Sequence, residues 1–109
     1  MRPYFAIFLL ALTAQAPIPQ STIDIALDAV RNELKDPDSA LFRNVSGFVA
    51  PNGSIYVCGW DNAKNSYGGY IGYEPFMVRF EGDKVASVWI PDRYTPASLI
   101  ENGSPDCRK

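Results

Sequence analysis

The chain has 109 residues, room for one domain, with a formal net charge of −2 and no histidine. The missing imidazole excludes Ser-His and Cys-His nucleophiles. The cations Arg31, Lys35, Arg43, Lys64, Arg79 and Lys84 are scattered singly, so there is no basic stripe for nucleic acid and no basic amphipathic helix for a membrane surface.

Residues 1–16, MRPYFAIFLLALTAQA, carry Arg2, an apolar run from Tyr4 to Leu12, and small residues ending in Ala14-Gln15-Ala16. This is the three-part layout of a secretory signal peptide. The apolar run is too short to span a bilayer, which takes about 20 residues. Cleavage after Ala16 would leave Pro17 first, an unfavourable start, and cleavage after Ala14 would leave Gln15. No cysteine follows the run, so no lipid anchor is expected. The expectation is a periplasmic or secreted protein with a signal peptide over 1–16 and a single small α+β domain over 17–109. No stable membrane span is expected after processing.

The proline-rich lead-in up to Gln20 is expected to be mobile. Ser21 and Asp24 have capping-box spacing, and Ile23, Leu27, Val30 and Leu34 form one apolar stripe, which predicts a helix over 22–35. Asp24 and Asp28 suit its positive end, and Arg31 and Lys35 its last turn. Pro37 stops it, and Asp36-Pro37 opens a short second turn. Val45, Phe48 and Val49 read as a strand with an irregularity at Gly47, and Pro51-Asn52-Gly53 as a turn. In the strand 54–60, Ile55, Val57 and Gly59 take one face and Tyr56, Cys58 and Trp60 the other.

The strands 76–80 and 85–90 flank Gly82-Asp83, which suits a two-residue II′ turn. A regular register places Phe76, Phe80 and Trp89 together, facing Leu27, Val30 and Leu34 in the core. The fold class is therefore α+β, an N-terminal helix on an antiparallel sheet of about four strands. In an exported domain of this size two cysteines argue for one disulfide, Cys58–Cys107, contributing roughly 4 kcal/mol by loop-closure entropy. Free thiols or metal ligation fit poorly, since the cysteines are far apart with no C-x-x-C spacing.

Between strands lies CGWDNAKNSYGGYIGYEPF, residues 58–76. Asn62, Asn65 and Ser66 are turn residues, and Gly68-Gly69 permits positive φ. Tyr67, Tyr70 and Tyr73 cannot all point one way from an extended strand. Two readings stay open: a long hairpin whose rings cover the sheet edge, or a recognition loop of the Tyr, Ser, Gly and Asn kind that makes versatile surfaces.

The blocks LKDPDSALFRN at 34–44 and VCGWDNAKNSYGGYIGYEPFMV at 57–78 resemble a recurrent pattern in small exported or lipid-anchored bacterial proteins of unknown function. The resemblance covers most of the chain after residue 16 and implies a bacterial envelope protein, with no activity and no catalytic residue to carry over. This copy lacks the cysteine that anchors lipidated relatives.

No cofactor or metal is expected, and no enzyme. Asp61 and Glu74 flank the connection and could face each other as a glycosidase pair does, but are expected to be solvated rim charges. The expected function is non-catalytic binding of a protein partner, an inhibitor or exclusion factor among the roles, through Trp60, Asn62, Lys64, Asn65, Tyr67, Tyr70 and Tyr73. The alternative is an envelope glycan or peptidoglycan binder stacking sugars on Trp60, Tyr67, Tyr70 and Tyr73, and less so a small hydrolase. A basic tip at Lys64 favours protein, whereas two parallel exposed rings would favour sugar.

Overall fold

The computed structural model describes residues 17–91. Helix α1 spans Gln20–Arg31, a 3₁₀ turn Pro37–Ser39, and four strands follow: β1 Leu41–Val49, β2 Ile55–Asn62, β3 Glu74–Glu81 and β4 Lys84–Trp89. The strands form one antiparallel sheet in the order β1-β2-β3-β4, with α1 packed across one face. The α+β expectation stands at that level. Cys58 is buried in β2, while Cys107, and with it the expected bridge, lies outside the described residues. Residues 1–16 lie outside them too.

The helix begins earlier than its capping-box spacing suggests. Pro19 is the N-cap, and its carbonyl accepts from the amides of Thr22 and Ile23. Ser21 lies inside the first turn, no side chain caps the helix, and no acidic residue falls in that turn. Asp24 instead accepts from Gln20 Nε2 at 2.9 Å, and Asp28 pairs with Arg31. After Arg31 the chain tightens, with Leu34 N–H donating to the Arg31 carbonyl, so Lys35 lies beyond the helix. The lead-in is engaged as well, since Ile18 rests against Gly47. A Cβ there would come within 2.9 Å of Ile18 Cγ1, so Gly47 makes room for the entering chain.

Ala26 and Val30 are fully buried on the helix, against Val57 of β2 and Phe76, Val78 and Phe80 of β3. Ile23, Leu27 and Leu34 pack around this centre and remain partly buried. Two irregularities set which side chains reach it. In β1 the register shifts between Arg43 and Ser46, rather than at Gly47, with Asn44 at φ 53°. The extra residue lets both Phe42 and Val45 turn to the core, where strict alternation would have turned one away.

In β4, Phe80 pairs with Val85 but Arg79 pairs with Ser87, leaving Ala86 as the extra residue. Beyond that bulge every side chain changes face. Val88 therefore pairs with Val78 and joins the core with Ile90, and Trp89 pairs with Met77 on the opposite side. The expected placement of Trp89 in the core is corrected by this one residue. The turn itself agrees with II′ geometry, because Gly82 has φ 63° and Asp83 is not in the positive region.

Gly59 sits where β2 passes close to the Phe76 ring and Val45. A Cβ there would lie 3.0 Å from the Phe76 ring and 3.1 Å from Val45 Cγ2. Gly59→Ala is expected to cost about 1–3 kcal/mol in urea unfolding. Adding Phe76→Leu, which frees the space, should make the pair less damaging than the sum of the singles. Strict additivity would show that the ring does not need that space.

Candidate functional site

The connection between β2 and β3 is a braced hairpin rather than a loose loop. Asn65 Oδ1 accepts from the amides of Tyr67 at 2.9 Å and Gly69 at 3.1 Å. The Asn65 amide donates to the Gly69 carbonyl and the Gly68 amide to the Asn65 carbonyl, closing a tight turn with Gly68 at φ 84°. Lys64 bridges Tyr70 as an antiparallel pair. Lower down, Asn62 Oδ1 accepts from the Gly72 amide at 3.0 Å, where Gly72 takes φ 100°. Both asparagine carbonyl oxygens of the expected binding set therefore serve the loop's own backbone.

A residue outside that set ties the loop down. Ser39, at the end of the 3₁₀ turn, accepts from the Lys64 amide on its Oγ at 2.8 Å. The same hydroxyl donates to the Asp36 carbonyl, and the Ser39 carbonyl accepts from the Tyr70 hydroxyl at 3.0 Å. The DPDS turn and the glycine-rich hairpin thus form one surface. Nothing about Ser39 in the sequence marks it for a contact 25 residues away.

The rings divide by environment. Tyr73 lies under the Arg43 guanidinium, 4.0 Å from its carbon to the ring centre, and Lys64 Nζ stands 5.7 Å from the Tyr70 ring centre. Trp60, between Arg43 and Pro75 in the register, is half-buried on the face away from α1. Tyr67 alone is almost wholly open, at 97% exposure, with Ile71 beside the loop base also exposed. Trp60, Asn62, Lys64, Asn65, Tyr67, Tyr70 and Tyr73 share one end of the sheet, but only Tyr67 offers a whole unengaged ring.

Beneath the loop, Asp61 and Glu74 do face each other across the β2–β3 pair. The expectation of two solvated rim charges is corrected for Asp61, which is 1% exposed with neither carboxylate oxygen hydrogen-bonded. Alternation explains this, because Ile55, Val57, Gly59 and Asp61 share the face that meets α1. Burial drives the Asp61 carboxyl up to about 7, helped by the Glu74 charge, against a smaller downward pull from its own backbone amide. Burial raises Glu74 as well. A cavity of about 370 Å³ opens between the end of α1, the loop and strands β3 and β4, with Glu74 in its wall.

Among the described residues no group of three or more His, Cys, Asp or Glu could hold a metal, and no helix is long and apolar enough to cross a membrane. Comparison with protein-family models, curated proteins and solved structures finds no match to this chain.

Two expectations follow from the site. Ser39→Ala removes an acceptor from a loop amide and should cost about 1–2 kcal/mol, with faster hydrogen exchange at the Lys64 amide. Unchanged exchange there would mean that the hydroxyl does not hold the loop. For Asp61 the ordinary value is 3.8 and the folded one about 7. Between them the native state keeps a proton that the unfolded chain has released, so stability falls as pH rises through this window and levels off above it. The slope is at most about 1.4 kcal/mol per pH unit. Asp61→Asn should therefore gain urea resistance over wild type at pH 8 and little at pH 4. A difference independent of pH would show that Asp61 does not titrate in this window.

Proposed function

We propose that the chain is an exported bacterial envelope protein that works without catalysis, presenting its glycine-rich hairpin to a protein partner. The observation that carries this is Tyr67, fully exposed at the tip of a loop whose backbone is tied by Asn65, Ser39 and Tyr70. A broad ring with few rotatable bonds, held on a braced turn, loses little entropy when a partner covers it. The bracing is what separates this from an ordinary surface tyrosine. An inhibitor or exclusion factor is the role such a fixed projection suits, since it can enter a partner's cleft without rearranging.

The glycan alternative needs two open rings side by side. Tyr70 has its hydroxyl committed to Ser39, and Tyr73 is covered by Arg43, so protein contact fits this surface better.

Tyr67→Ala is expected to abolish capture of the partner from a bacterial envelope extract while changing stability by less than about 0.5 kcal/mol. Capture at wild-type level by a Tyr67→Ala protein that melts normally would remove the hairpin from the interface.

A further inference from the structure

The cavity below the hairpin has a mixed lining, with two acids, Glu33 and Glu74, two lysines, Lys35 and Lys64, and an apolar part of similar extent. Leu34, just past the helix, and Val88 and Ile90 of the last strand segment supply much of the apolar part, and Glu74 is the acid opposite Asp61 in the ladder. Two of Asp61's neighbours on its own face of the sheet, Glu74 across the ladder and Ala63 two residues on, also line the cavity. Asp61 does not itself line the cavity; it is the ladder partner of one wall residue and two positions from the other, buried and without a hydrogen-bond partner.

We infer that this cavity receives an arginine side chain of the partner protein, its guanidinium on Glu74 and its hydrocarbon stem against Leu34, Val88 and Ile90. This deepens the preceding proposal and rests on it for the partner being a protein.

The charge pattern supports a missing cation. The ion pairs among the described residues are Arg31–Asp28 and Arg79–Glu81, so Glu74 and Asp61 have none. The charged groups facing the cavity are Glu33 and Lys35 from just past the helix, Lys64 from the loop and Glu74 from β3, with Asp61 of β2 the ladder partner of Glu74. The strand β4 side contributes only apolar groups. Lys35 is exposed at the rim, where water screens it, and Lys64 Nζ stands near the Tyr70 ring rather than in an ion pair.

An unpaired buried carboxyl is costly, and a cation held on the neighbouring Glu74 lowers that cost through its charge. The apolar walls favour a cation on a hydrocarbon stem over a bare metal ion. A planar guanidinium can meet a carboxylate with two parallel hydrogen bonds, which an ammonium cannot. The cavity volume lies within the range of small-ligand pockets, about 300–1,000 Å³.

The test is an NMR titration of the full-length chain with N-acetyl-arginine methylamide, and with its citrulline counterpart as the uncharged isostere. The arginine probe should give saturable shifts at the Ala63 and Ile90 amides. Citrulline in wild type, and arginine in Glu74→Gln, should each bind about tenfold more weakly or worse. Arginine affinity should rise between pH 6 and pH 8 as Asp61 gives up its proton, and Asp61→Asn should flatten that rise.

No saturable shift, equal binding of citrulline, or full binding by a folded Glu74→Gln overturns the assignment. An unchanged pH rise in Asp61→Asn overturns the part given to Asp61. The two proposals fail separately, because Tyr67 does not line the cavity and Tyr67→Ala should keep probe binding. If Tyr67→Ala still captures the partner while the probe binds, the hairpin assignment falls and the cavity assignment stands. If capture depends on Tyr67 and the probe never binds, the reverse holds.

Discussion

The row Ile55, Val57, Gly59, Asp61 along β2 is the constraint from which most of this structure follows. Alternation sends the whole row to the helix side, and Ala63 continues it into the loop. Its first members build the core with Ala26, Val30, Phe76 and Val78. The glycine in its middle yields space to the Phe76 ring. The β2–β3 ladder keeps a regular register up to Asp61, so the row's far end stays on that face and Asp61 is carried into a dry environment by the register that makes the core. The carboxyl's lack of a partner is thus a consequence of where the row ends, and the site beneath the hairpin is an extension of the core rather than a separate feature.

Ser39 gives the hairpin its second attachment. A loop of this composition, held only at the ends of β2 and β3, would be free to sample many conformations, and its order would have to be supplied on binding. The Ser39 hydroxyl and carbonyl engage the Lys64 amide and the Tyr70 hydroxyl, one on each side of the turn. Asn65 organises the tip between them. This division explains why the stretch is so rich in amides and glycines. Most of them shape and fasten the backbone, and this leaves a small part, Tyr67 above all, to face outward.

The helix, the four strands and their order were legible in the sequence because each rests on local periodicity and turn chemistry. Pro51-Asn52-Gly53 and Gly82-Asp83 mark their turns by residue type alone. What was not legible depended on single inserted residues. Asn44 and Ala86 look ordinary, yet each shifts a register, and Ala86 sends Trp89 out of the core and Val88 into it. A bulge at an alanine has no composition signal. The site divides the same way. The glycine-rich hairpin was conspicuous, while Ser39 became visible only through tertiary contact. Asp61 was a partial exception, since the face it shares with Val57 followed from alternation, and only the depth of its burial needed the helix in place.

The buried carboxyl also bears on why the chain would retain so unfavourable a residue. Asparagine at position 61 would keep the shape and remove the charge, and an apolar residue would suit the core better still. In a domain of this size every kilocalorie is a sizeable fraction of the total stability. A residue that opposes folding at neutral pH while neighbouring the wall residues of a cavity is more readily explained by what enters the cavity than by the fold. Glu74 bears on the same point, because its charge, opposite Asp61 in the ladder, adds to the effect of burial in raising the Asp61 carboxyl. A cation bound on Glu74 would offset its repulsion of Asp61. The cost of the unpaired carboxyl in the free protein would then become affinity in a complex with such a cation.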